Sequence, residues 1–197
     1  MQRGELAAYK VGGEYRFRRE DIDQYLERQY LPAKTISFDI LGLAEHMNAG
    51  DRLNALTKRA KQALTFAAEE ARRLRHAQMS PEHVLLGLIR ETEGVAGKAL
   101  QGLGVTLEDA RHQVQALITP GKKLPPPTSG LYLHQSVKEA LEHASEEAGQ
   151  FQHSYIGTEH LLLALLRDEG IVELLSTFDA TPDKVRDAVI RLVMKDK

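Results

Sequence analysis

The chain has 197 residues and a mass of 22.0 kDa, enough for one ordinary domain or two small ones. With 42% apolar and 27% charged residues its composition is that of an ordered globular protein, and no run approaches the roughly 18 apolar residues of a membrane span. A net charge of -2 gives no global drive towards nucleic acid or anionic membrane. Zero Cys excludes disulfides, thiolate metal sites and cysteine nucleophiles. Met1–Leu6 lacks the apolar run of a signal peptide, so the expected location is the cytoplasm.

Residues 1–30 differ in texture from the rest. Tyr9-Lys10-Val11 and Tyr15-Arg16-Phe17 alternate on either side of Gly12-Gly13, which predicts a β-hairpin with a turn able to take positive φ. Residues 1–19 carry five basic side chains against two acidic ones. A short helix with Ile22, Tyr25 and Leu26 on one face follows and ends before Pro32. Residues 31–55 read as a connector with a weak amphipathic piece at Phe38, Leu41, Leu43 and Met47.

From Leu56 onward the chain repeats itself at an offset of 77 residues. Ala63-Leu64 falls on Ala140-Leu141, Glu69-Glu70-Ala71 on Glu146-Glu147-Ala148, and His76 on His153. Glu82-His83-Val84-Leu85-Leu86-Gly87-Leu88 falls on Glu159-His160-Leu161-Leu162-Leu163-Ala164-Leu165. After a two-residue contraction, Thr106 to Arg111 matches Thr181 to Arg186. Apolar periodicity alone could match by chance; polar residues matching in order do not. The copies are expected at 56–119 and 133–197, on either side of a linker at 120–132 that holds four of the seven prolines.

Each copy predicts four helices. The first runs Thr57–Leu74 or Gln135–Ala148; the second starts at Ser80 or at Gly157/Thr158, with Glu in its first turn. A shorter third follows Gly94 or Gly170, and the last starts at Thr106 or Thr181, with Pro182 suited to a first helical position. Val84, Leu85, Leu88 and Ile89 predict a single buried stripe on the second helix. The fold class is therefore mainly α: a pseudo-twofold eight-helix bundle of two four-helix repeats, preceded by a small β-hairpin and helix.

Leu56 to Ala60, Glu69 to Arg72, Glu82 to Leu88 and, most sharply, His153-Ser154-Tyr155-Ile156-Gly157-Thr158-Glu159-His160-Leu161-Leu162-Leu163 resemble the double Clp amino-terminal repeat, in its ClpC-like form. That domain stands in front of AAA+ unfoldases. No Gly-x-x-x-x-Gly-Lys-[Ser/Thr] loop, Gly-x-Ser-x-Gly elbow or His-Glu-x-x-His pair occurs here. The expectation is thus a recognition domain without a motor, non-enzymatic and free of cofactors. Residues 3–29 resemble the wing and following helix of excisionase/MerR-like DNA-binding domains. The helix-turn-helix proper of that family is expected before Met1, which would leave this chain without the helix that reads base edges.

Glu82 and Glu159 read in two ways. As first-turn acids they offset the helix dipole. In ClpC-like domains, so the resemblance implies, they hold the guanidinium of phosphoarginine, with Thr57, Ser80 and Thr158 beside them. Departures fall in both copies: Ser80-Pro81 stands for Gly157-Thr158, and His134 stands for Thr57, so each half-site is expected to be altered somewhere. His83 and His160 lack further ligands at metal spacing and are expected to be satisfied histidines bonding a backbone carbonyl, with no metal. His76 and His153 read as C-terminal caps. Lys10, Arg16, Arg18 and Arg19 either contact DNA phosphates, as wings do, or are simply solvated.

The resemblance implies partners such as Clp substrates, adaptors or unfoldase subunits, phosphoarginine, and natural products aimed at Clp N-domains. It also implies DNA through a full-length N-terminal segment, and no membrane. A sensor or transcriptional regulator linked to Clp proteolysis is the expected function. An accessory, adaptor or decoy for a Clp unfoldase is the alternative, and an unrecognised enzyme is the third.

Overall fold

A computed structural model of the chain describes residues 9–11, 14–16, 55–76, 78–117 and 132–195, with the backbone alone for the first two stretches and for Leu117. Two units divide it, Met1–Ser37 and Phe38–Lys197. In the first, β1 (Tyr9–Val11) pairs antiparallel with β2 (Glu14–Arg16), Lys10 opposite Tyr15 and Val11 opposite Glu14. The Gly12-Gly13 turn, the helix expected after the hairpin, the connector through Asn54 and most of the proline-rich linker lie outside the described residues.

The second unit contains eight helices among the described residues. They are α1 (Lys58–Arg73), α2 (Pro81–Arg90), α3 (Val95–Gly102) and α4 (Leu107–Leu117), then α5 (Gln135–Gln150), α6 (Thr158–Leu165), α7 (Glu169–Ser176) and α8 (Pro182–Lys195). Pro81 and Pro182 each sit at the first helical position, where a missing N–H costs nothing. One start differs from expectation. α7 begins before Gly170, because the Asp168 carboxylate accepts from the Ile171 N–H at 3.1 Å and caps the helix there. The contraction between the copies falls just ahead of it: α6 is shorter than α2, and three residues rather than four lead to the next helix.

The helix ends repeat as faithfully as the starts. Arg75 (φ 62°) and Gln152 (φ 57°) turn the chain after α1 and α5, and Gly104 (φ 80°) and Asp179 (φ 57°) after α3 and α7. In each case the next N–H reaches back into the last turn: His76 to Ala71, His153 to Ala148, Val105 to Leu100 and Ala180 to Leu175. These are Schellman closures that satisfy otherwise orphaned carbonyls.

α2 and α6 occupy the centre of the bundle. The single stripe expected on α2 is replaced by burial all round, from His83 to Ile89, and α6 is buried from Thr158 to Leu165. Other helices cover them on every side, so no face is left for water. The α1–α2 crossing is close because it is built from small residues. A Cβ on Gly87 would lie 2.2 Å from the Ala63 carbonyl oxygen and 2.7 Å from the Ala67 nitrogen. Ala164 takes the equivalent place on α6, where a Cβ is accommodated.

One buried acid ties each copy together. Glu70, 1% exposed, takes a bidentate pair from Arg111 of α4, Nε to Oε2 at 3.0 Å, while Arg90 at the end of α2 bridges to Glu69 at 2.6 Å. In the second copy Glu147, 2% exposed, accepts from Arg167 at 3.2 Å and lies 3.4 Å from Arg186 of α8; Arg167 also bonds Glu146 at 2.7 Å. These are the polar positions that repeat in the sequence. A buried carboxylate is tolerable only with such partners, and removing one partner is costly.

Gly87→Ala must separate α1 from α2 against backbone atoms, so we expect it to destabilise the protein by roughly 1–3 kcal/mol. Denaturant unfolding of Gly87→Ala measures this. A variant as stable as the parent would show that the crossing is looser than described.

Candidate functional site

The short segments that lead into the helices pair across the repeats rather than within them. Leu56, ahead of α1, bridges in parallel to Ile156, ahead of α6. The Thr57 N–H donates to the Ile156 carbonyl at 2.9 Å, and the Ile156 N–H donates to Ala55 at 2.8 Å. At the symmetric place β3 (Gln78–Met79), ahead of α2, pairs in parallel with β4 (Tyr132–Leu133), ahead of α5, and the His134 N–H donates to Met79 at 2.9 Å. The N-terminus of α1 therefore lies beside that of α6, and that of α5 beside that of α2.

This exchange corrects the expectation that each half-site is altered. Thr57 belongs with Gly157, Thr158 and Glu159 of the other copy. His134 belongs with Ser80, Pro81 and Glu82. Thr57, Gly157, Thr158 and Glu159 share one neighbourhood, and Ser80, Pro81, Glu82 and His134 share the other.

In the retained site the Glu159 carboxylate folds back over Gly157, where a Cβ would lie 2.3 Å from Oε1 and 2.4 Å from Oε2. A side chain at 157 would require the Glu159 carboxylate to swing aside. Glu159 is 5% exposed, and burial raises its pKa above the usual carboxylate value despite its own backbone N–H, His153 and Thr158, which favour the charged form. Dipole compensation alone, the simple reading of a first-turn acid, does not outweigh that desolvation. Thr158 is buried, and its hydroxyl accepts from the Ala96 N–H of α3 at 3.3 Å, so it serves the seam between the copies. Thr57 caps α1 by accepting from the Ala60 N–H at 3.2 Å.

The second site offers fewer donors. Pro81 has no N–H, and the Ser80 N–H donates to His83 Nδ1 at 3.0 Å with its hydroxyl 2.8 Å from the same nitrogen. The His134 ring accepts from the Ser136 N–H at 3.3 Å. Oε2 of Glu82 is buried without a hydrogen-bond partner.

The histidines form matched pairs. His160 Nδ1 accepts from the Gly157 N–H at 2.9 Å, and its Nε2 lies 3.0 Å from His153 Nδ1. Because Nδ1 accepts, Nε2 must carry the proton and donate to His153. His83 and His76 repeat the arrangement, with Nε2 and Nδ1 2.9 Å apart. The expected bond to a backbone carbonyl is thus replaced by acceptance from a helix N-cap N–H. His76 and His153 close their helices through backbone N–H groups, while their rings face the buried histidines. Candidate ligand atoms of His153, Glu159 and His160 lie within 4.8 Å of one another. His160 Nδ1, 3.7 Å from Glu159 Oε1, already accepts from Gly157 and its Nε2 is engaged by His153, so neither nitrogen offers a metal a free lone pair. Lys10 and Arg16 lie on β1 and β2, and Arg18 and Arg19 fall outside the described residues.

The Clp repeat N-terminal domain model matches residues 55–178 and 133–196. The chain belongs to the Clp N-terminal repeat family. A helix-turn-helix domain model matches residues 1–30. The chain is 40% identical over 139 residues to the chaperone protein ClpB of Oceanobacillus iheyensis and, over the same length, to the negative regulator of genetic competence ClpC/MecB of Bacillus subtilis. Those matches cover 70% of this chain and 17% of each relative. The N-terminal domain of ClpD from Arabidopsis thaliana matches with a TM-score of 0.62 at 25% identity, over 72% of this chain and 96% of that domain. The N-domain of ClpV from Vibrio cholerae shares the fold, with a TM-score of 0.59 at 16% identity, over 73% of this chain and 86% of that one. Among the described residues no helix is long and apolar enough to cross a membrane.

Burial, and then the neighbouring histidine, lowers the pKa of both His83 and His160 from 6.5 to about 4. Between those values the unfolded chain binds protons that the folded chain refuses. Their contribution to stability is full above pH 6.5 and is lost as the pH falls towards 4, with Glu159 pulling weakly the other way. Thermal unfolding between pH 7.5 and 4, with imidazole chemical shifts, checks this. Titration of both buried rings near pH 6.5 would contradict it.

Proposed function

We propose that this Clp N-terminal domain is a non-enzymatic recognition module that takes phosphoarginine-bearing proteins at the Thr57–Gly157–Glu159 site. In this reading the N-terminal segment turns capture into regulatory output. The observation that carries the reading is that the exchanged lead-in segments set Thr57 beside Gly157, Thr158 and Glu159. A carboxylate suits the guanidinium as a charge-assisted acceptor. Two adjacent helix N-termini suit the phosphate. The helix-turn-helix match over residues 1–30 supports the regulatory half, with Lys10, Arg16, Arg18 and Arg19 as phosphate contacts on DNA. A ClpV N-domain, alike in fold alone, has been solved with a VipB peptide, in keeping with a peptide-binding use of the fold.

Calorimetric titration of phosphoarginine tests the site. Glu159→Ala removes a charge-assisted partner worth roughly 1.5–3 kcal/mol, so affinity should fall about ten- to a hundredfold. Glu82→Ala, in the site poor in donors, should leave affinity within about twofold. No binding by the parent protein, or a larger loss from Glu82→Ala, would overturn the assignment.

A further inference from the structure

Tyr155 immediately precedes the Ile156 that joins the two copies, and it is 42% exposed. One face of its ring lies on His153, with centroids 4.8 Å apart and planes 14° from parallel. His153 is fixed in turn by the His160 ring at 3.0 Å, and His160 by the Gly157 N–H at 2.9 Å. The tyrosine is therefore mounted on the same backbone amide that begins α6, through two rings with no slack between them. Its stacked neighbour has a nitrogen within 4.8 Å of a Glu159 carboxylate oxygen, which places the ring near that carboxylate. Consistent with that proximity, the Tyr155 hydroxyl pKa is raised by burial and then by the Glu159 charge. The other site has no ring at the equivalent place on the lead-in to its second helix, although the exposed Tyr132 lies across the strand pair. Gln78 stands there, opposite Tyr132, whereas Tyr155 is the position next to the Ile156–Leu56 bridge.

We infer that Tyr155 is the specificity wall of the retained site: its outward ring face stacks on the flat face of a guanidinium whose edge is held by Glu159. An aromatic ring beside a carboxylate favours a planar, delocalised cation that can stack and accept a directed pair at once. A phosphorylated amine of the lysine type carries no such plane. The inference rests on the phosphoarginine reading and adds the residue that separates that ligand from other phosphorylated side chains.

The test titrates phosphoarginine and phospholysine, as free amino acids, into the full chain and into Tyr155→Leu and Tyr155→Phe. Tyr155→Leu should lose roughly three- to fivefold in phosphoarginine affinity, the size of an exposed cation–π contact, with phospholysine binding unchanged. Tyr155→Phe keeps the ring and its stack on His153 and should bind phosphoarginine within about twofold of the parent, which also controls for a disturbed fold. Full affinity in Tyr155→Leu, or equal losses for both phospho-amino acids, overturns the inference. So does a loss in Tyr155→Phe as large as in Tyr155→Leu, since the hydroxyl would then be the contact. If the parent binds phosphoarginine and Glu159→Ala weakens it while Tyr155→Leu does not, only the wall is wrong. If the parent does not bind it at all, the site reading fails and the wall with it.

Discussion

The hydrogen bonds from Thr57 to Ile156 and from His134 to Met79 are two short backbone contacts, yet the architecture of both sites depends on them. Each copy sends the segment ahead of its first helix across to the other copy, where it lies beside the start of the second helix. Helix N-termini that would otherwise be separate are thereby set side by side in pairs. A pair of N-termini concentrates unsatisfied N–H groups and positive dipole ends, and an acid in the first turn then adds an acceptor. The exchange also ties the copies into one core, because Thr158 bonds Ala96 and a Cβ on Gly94 would touch the Thr158 side chain at 2.7 Å.

Around that exchange the duplicated polar residues divide their work. Glu70 with Arg111 and Glu147 with Arg186 hold the outer helices to the first helix of each copy, and the paired histidines close the starts of α2 and α6. At the paired helix starts, Ser80, Pro81 and His134 stand where the other site has Gly157, Thr158 and Thr57. The site with Pro81 has one backbone N–H fewer, at that proline, and an imidazole in place of a hydroxyl, at His134. Its partner has glycine beneath the Glu159 carboxylate, and that carboxylate is buried at an electrostatic cost.

The eight helices were legible because each carries its own punctuation: Thr57, Ser80 and Gly157 at starts, prolines at first positions, and apolar runs between. The repeat was legible because its polar residues match, and the Glu–Arg clusters explain why they match. α7 began early because an aspartate cap outweighs a glycine as a start signal. The single-stripe reading of α2 failed because a helix at the centre of a bundle has no solvent face, which local periodicity does not encode. Thr57 was placed with the wrong glutamate for a related reason. Pairing between Leu56 and Ile156 rests on segments of one or two residues, too short to show a strand pattern, and joins positions far apart in the chain. The histidine pairs were hidden in the same way, since each links a helix end to the next helix start. Tyr155 lay within the most specific stretch of the sequence, and its value follows only from the ring it stacks on.

A double-mutant cycle on phosphoarginine affinity measures whether the site spans the two copies. Thr57→Val is combined with Glu159→Gln in one cycle and with Glu82→Gln in the other. Residues of one site should couple by at least about 0.5 kcal/mol, and residues of separate sites should add within about that amount. The exchanged architecture predicts coupling of Thr57 to Glu159 and additivity with Glu82. Coupling of Thr57 to Glu82, with additivity towards Glu159, would contradict it.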